Sequence, residues 1–92
     1  MKQRTLNERR ALQEGLRVRQ YRARRMALSP RQYMTLELVA RGLKHNQIGA
    51  IMGISPKTVD SHMQAIYHKF KIRGGNASAA VFVARQEGIL SK

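Results

Sequence analysis

The 92-residue chain contains no cysteine. That absence removes disulfides, thiolate zinc sites and cysteine nucleophiles together, so packing alone must hold the fold. Tryptophan is missing too, and aromatic residues make up 5% of the chain. So few rings cannot build the stacking platforms on which single-strand binders seat their bases. Duplex DNA is therefore the expected partner ahead of RNA. No stretch approaches the roughly 18 apolar residues needed to cross a bilayer. The N-terminus has basic residues without the apolar run of a signal peptide, so no membrane partner and a cytoplasmic location are expected. Acidic residues are the other scarcity: 5 Asp and Glu face 18 Lys and Arg, a formal charge of +13 and a pI near 11.6. Such an imbalance points to a polyanion. The short length fits one small core, with no large substrate cavity and no room for a sensing module. Regulation is then expected through abundance, another protein or dimerisation.

An enzyme is not expected. The chain has no nucleophile with a base and an orienting group, no carboxylate pair and no phosphate-cradling glycine loop. His45, His62 and His68 lack acidic or thiol companions, and the six-residue separation of the last two does not align them on a helix. No metal and no cofactor are expected.

Composition divides the chain near residue 28. Residues 1–27 form a basic arm in which Lys2, Arg4, Arg9, Arg10, Arg17, Arg19, Arg22, Arg24 and Arg25 face only Glu8 and Glu14, a net +7. Leu6, Leu12, Leu16, Ala23 and Ala27 give it a ragged helical stripe that Gly15 interrupts. Two states stay open for it, disordered or helical on a partner. Residues 28–92 carry cleaner signals for an all-α domain of four helices. Ser29-Pro30 with Gln32 is a capping box with proline at the first helical position, and Leu28 and Tyr33 stand where a hydrophobic staple would close. Tyr33, Leu36, Val39, Ala40 and Leu43 follow at helical spacing, and Gly42 suits a left-handed cap. This predicts a helix over about 30–41. A short helix over 46–52 turns Ile48, Ile51 and Met52 to one side. Ser55-Pro56 opens a third over 56–70, packed through Val59, His62, Met63, Ile66 and Phe70. Asn76 caps a last helix over 77–87, which Gly88 closes. There is no strand signal and no repeat.

The second and third helices, joined by Gly53-Ile54-Ser55, form a helix-turn-helix. Gly49 places a residue without a side chain where they cross, Gly53 permits the turn, and Ile48, Met52, Ile54, Val59 and His62 fill the inside positions. The run Leu28-Ser-Pro-Arg-Gln, then Ala40-Arg-Gly-Leu43, Ile48-Gly49, Gly53-Ile-Ser-Pro-Lys-Thr-Val59, His62, Ile66, Lys69-Phe70, Ala80, Ala84 and Gly88-Ile-Leu resembles the LuxR-type (LuxR/FixJ/GerE) DNA-binding domain over about residues 28–90. The resemblance implies a compact four-helix domain whose third helix reads DNA, whose fourth often pairs with its twin, and whose members regulate transcription in bacteria and their phages.

With Val59, Met63, Ile66 and Phe70 turned inward, the outward positions nearest the start of the third helix are those able to reach base edges. Asp60, Ser61 and Gln64 are the candidate base readers. Gln64 can pair bidentately with adenine and Asp60 can accept from cytosine. Lys57, Thr58, His68 and Lys69 are candidates for phosphate, as are Arg22, Arg24 and Arg25 of the arm, either along the backbone or in the minor groove. His62 is read as a core or helix-junction residue. The last helix offers more apolar faces than one contact needs, and Val81, Ala84 and Arg85 are the candidate residues of a symmetric dimer.

The leading expectation is a sequence-specific transcriptional regulator consisting of the DNA-binding domain. Two alternatives stay open. One is an RNA-polymerase-associated adaptor resembling region four of a sigma factor, and the other is a general basic nucleic-acid-binding protein.

Overall fold

A computed structural model describes residues 5–91; Lys2 and Arg4 of the basic arm lie outside that range. Five helices follow in order: α1 (Leu6–Arg25), α2 (Pro30–Ala40), α3 (His45–Met52), α4 (Pro56–Lys69) and α5 (Ala77–Gln86). The described residues contain no strand. The all-α expectation and the helix-turn-helix order hold, with one helix more than the four expected. That extra helix is the arm. Its start is fixed by a capping box, in which the Glu8 amide donates to Thr5 Oγ1 at 3.2 Å and the Thr5 amide donates to Glu8 Oε2 at 3.3 Å. The Thr-x-x-Glu spacing that announces this cap stands in the sequence, masked by the arm's high net charge.

All five helices end the same way. A residue with positive φ follows the helix, and an at least half-buried aliphatic residue then folds back toward the domain: Ala27 with Leu28, Gly42 with Leu43, Gly53 with Ile54, Lys71 with Ile72, and Gly88 with Ile89. In each case the aliphatic residue's amide reaches a carbonyl five residues earlier, as when Ile89 donates to Ala84 at 2.8 Å. This is the Schellman arrangement, which satisfies carbonyls that the helix leaves open. Glycine takes the left-handed position without strain, whereas Ala27 and Lys71 adopt it at a cost of about 1–2 kcal/mol each.

The core gathers Leu36, Met63, Ile66, Ala80, Ala84 and Ile89 between α2, α4 and α5, with Tyr33, Tyr67 and Phe70 at its margin. Ala23 of α1 and Leu28 belong to the same cluster, so the last turns of the basic segment are built into the domain. Thr35 is fully buried on α2, and its hydroxyl donates to the Arg31 carbonyl at 2.8 Å beside Met52 Sδ. This leaves no orphaned polar atom there. The Tyr33 hydroxyl is buried without a hydrogen-bond partner.

Two packing expectations differ from the structure. Ile51 is exposed, because α3 approaches its neighbours along His45, Ile48, Gly49 and Met52, a stripe that leaves residue 51 to the side. On α4, Tyr67 joins Val59, Met63, Ile66 and Phe70 in the interior while His62 is only half-buried. The centre of the stripe runs between residues 63 and 66, which turns 62 toward the edge and 67 inward.

The crossing of α3 and α4 rests on Gly49. A Cβ there would come within 2.5 Å of the Ile54 carbonyl oxygen and 3.4 Å of the Pro56 nitrogen, both backbone atoms that cannot step aside. Gly49→Ala should therefore destabilise the domain by at least about 2 kcal/mol despite alanine's better helix propensity. Chemical denaturation checks this, and unchanged stability would contradict the close crossing.

Candidate nucleic-acid interface

The start of α4 is held by three local devices. Gly53, at φ +70°, lets the chain leave α3 through a left-handed turn. Ser55 Oγ accepts from the Thr58 amide at 3.1 Å and lies 2.9 Å from Thr58 Oγ1. Pro56 supplies a preset φ at the first helical position. The first turn thus starts in a fixed orientation, with Pro56 lacking an amide hydrogen and the Thr58 amide donated to Ser55 Oγ. Ser55 and Lys57 beside them are exposed.

Behind that start α4 presents one polar side. Lys57, Thr58, Asp60, Ser61, Gln64 and His68 are all exposed, spread along a length of about 17 Å at the helical rise. The opposite side of the same helix carries the buried Val59, Met63 and Ile66. Ser61 Oγ donates to the Lys57 carbonyl at 3.1 Å, and the Gln64 amide lies toward Gly75 in the turn before α5. Asp60 is the one acid on this side. Its charge adds to burial, the larger cause, in raising the Tyr67 hydroxyl above the ordinary tyrosine range. The Tyr33 hydroxyl is also raised, by burial first and Glu37 second, while Arg19 acts in the opposite sense. The stability tied to these neutral hydroxyls is full below pH about 10 and fades as pH rises above it.

The remaining phosphate candidates fall into two places. Lys69 is half-buried at the far end of α4, where its ammonium donates to the Ala27 carbonyl and, at 2.6 Å, to Gln32 Oε1. That oxygen also accepts from the Ser29 amide. Lys69 therefore ties α4 to the junction of α1 and α2. Arg22, Arg24 and Arg25 are exposed in the last turn of α1. The Arg22 guanidinium lies over Gly88, and Arg22 and Arg25 border a groove with Gln86 and Glu87, so both sit at the C-terminal end of α5. They do not adjoin the first turn of α4. Lys71 and Arg73, which sequence reasoning passed over, stand exposed just beyond α4. Two cations directly after α4 were the available signal.

On α5, Val81 is half-buried, Ala84 is fully buried and Arg85 is exposed. Ala84 fills the chain's own core, so its methyl group is closed to a partner. The large apolar residue that α5 leaves bare is Phe82, at 63% exposure. Among the described residues no three His, Asp or Glu side chains come together in a metal-binding group, and no helix is long and apolar enough to cross a membrane.

Comparison with known proteins follows the same residues. The family described as "Bacterial regulatory proteins, luxR family" matches residues 26–83. The Transcriptional regulatory protein YdfI of Bacillus subtilis (strain 168) is 37% identical over 65 residues, which cover 70% of this chain and 29% of that protein. The chain thus spans less than a third of its relative's length. No solved structure matches. On the family match, which takes in the whole helix-turn-helix, the chain belongs to the luxR family of bacterial regulatory proteins.

Proposed function

We propose that the chain is a sequence-specific DNA-binding transcriptional regulator of bacterial or phage origin, acting in the cytoplasm, that inserts α4 into the major groove. The observation that carries this reading is the bare polar side of α4, projected by a rigid capped start on a chain whose formal charge is +13. Asp60, Ser61 and Gln64 read base edges. Lys57, Thr58 and His68 contact phosphates and set the register. Arg22, Arg24 and Arg25 add phosphate contacts from the last turn of α1. Lys69 is assigned to holding α4 in place rather than to phosphate, because two of its three donors are directed to Ala27 and Gln32. The relative's name as a transcriptional regulatory protein supports the same reading.

A symmetric dimer through α5 would bring two copies of α4 to half-sites about 10 base pairs apart or a multiple of it. Phe82 and Val81 with Arg85 form the contact, beside a groove of about 420 Å³ that Val39 and Ala77 also line. RNA polymerase is then a partner reached from the bound operator. No step of this account requires a reaction or a cofactor.

Selecting bound duplexes from a random pool identifies the operator. Competition must then show that site preferred over random duplex by at least about 10³-fold, and equal binding would favour a general basic nucleic-acid-binding protein. Binding to RNA polymerase without DNA would favour the adaptor reading. Gln64→Ala should relax preference at one base pair by about 1–3 kcal/mol while leaving the fold intact. Loss of thermal stability instead would make Gln64 structural. Lys69→Met should lower stability by about 1–2 kcal/mol and leave the salt dependence of binding unchanged. Replacing Arg22, Arg24 and Arg25 by Gln should instead reduce the log–log salt slope by about 0.9 for each phosphate no longer neutralised. A reduced slope in Lys69→Met would return that lysine to the phosphates.

A further inference from the structure

The outer turns of α1 have no counterpart in the domain. A 20-residue helix is about 30 Å long, yet Ala23 is its one buried residue. The face that buries Ala23 continues outward through Leu16, Leu12 and Arg9, at spacings of seven, four and three that keep them in one row. Leu12 is 49% exposed and Leu16 37%, and Leu6 nearer the start is 63% exposed. A helix so short of contacts gains little from its neighbours, but both of its ends are fixed. The Thr5–Glu8 capping box holds one, and the Ala27–Leu28 turn bound by Lys69 holds the other. The outer turns therefore stand out from the domain as a preformed helix with a leucine row on one side.

The charge around that row selects what can cover it. Seven arginines and two glutamates lie on α1. In a parallel pair of identical helices Arg9 would face Arg9, and in an antiparallel pair centred on the leucines Arg9 would face Arg19. Either pairing sets like charges against each other at the seam. A second copy of the chain is thus a poor occupant. Phosphates of DNA would engage Arg9, Arg10 and Arg17 but would leave Leu12 and Leu16 in water. An occupant that answers both features carries acids beside an apolar stripe.

We propose that the outer half of α1 is a docking helix for an acidic amphipathic helix of a partner protein. Leu12 and Leu16 supply the apolar seam, and Arg9 and Arg19 of the same row pair with the partner's carboxylates. Charge complementarity sets the choice of partner and the rate of encounter, while the leucines hold the complex. Because Lys69 joins the base of α1 to the end of α4, the partner would sit on a handle fixed to the helix-turn-helix. The proposal does not depend on which nucleic acid α4 binds.

The test uses the full chain and a labelled synthetic helical peptide with leucine at heptad a and d positions and glutamate at e and g, followed by fluorescence anisotropy. A control peptide keeps every glutamate and replaces the leucines by serine. The leucine peptide should bind at least tenfold more tightly than the control. Leu12→Gln/Leu16→Gln, with helix content verified by circular dichroism, should lose at least tenfold of that affinity while binding duplex DNA as before. Equal binding of both peptides would reduce the arm to a general polyanion surface and overturn the proposal. So would a fall in DNA affinity in the leucine variant, which would make DNA the occupant. Self-association of the chain in sedimentation that the leucine variant abolishes would overturn it in favour of a second copy.

Discussion

The approach of α3 to the turn before α4 is the constraint on which the rest of the molecule depends. With no side chain at Gly49, the Ile54 carbonyl can sit against the α3 backbone, and the Ile54 amide returns a hydrogen bond to the Gly49 carbonyl at 2.9 Å. This closes the turn with backbone atoms alone, so the angle between the two helices is fixed independently of side-chain rotamers. Ser55 and Pro56 then start α4 at a defined point in space. Because Val59, Met63 and Ile66 are committed to the core, the polar side of α4 has one orientation available to it. That orientation is outward.

A second layer of the design lies in how the helices stop. With a single small core, the chain relies on its helix ends to shape the domain. Five times a left-handed residue reverses the direction and sends an aliphatic side chain inward, and Leu28 and Ile89 delivered this way are core residues. The basic segment is attached by this means. Ala23 and Leu28 bury its base, and Lys69 bonds the carbonyl between them. A segment that composition marks as separate is thereby continuous with the domain, and its outer turns inherit a fixed direction. The cations of the molecule accordingly serve different ends. Lys57 stands free at the start of α4, Arg22 and Arg25 gather at the end of α5, and Lys69 works as an internal tie.

Much of this was legible in the residues. The pairs Ser29-Pro30 and Ser55-Pro56, with Gly42, Gly53 and Gly88, marked the helix limits to within a residue or two, because each acts through local geometry that the residue type itself imposes. Gly49 was legible as a crossing point for the same reason. The outward set on α4 followed from its inward set by periodicity. Other features were hidden. Ala27 and Lys71 take a conformation their side chains disfavour, and only the inward pull of Leu28 and Ile72 accounts for it. Ile51 and Tyr67 depended on the angle at which whole helices meet, which no window of sequence contains. Ala84 reads as a dimer residue because its helix has apolar groups on several sides, and only tertiary packing decides which side is inside. The burial of Lys69 required the end of α1 to come back beside α4, a contact across 42 positions in sequence.

We propose the exposed side of α4 as the surface that meets the double helix. Amide chemical-shift mapping of the isotopically labelled chain, titrated with its selected duplex, locates that surface residue by residue. The largest perturbations are expected at Lys57, Thr58, Asp60, Ser61 and Gln64, with smaller ones in the last turn of α1. Perturbations confined to α1 or α5, with the amides of α4 unmoved at saturation, would contradict the proposal.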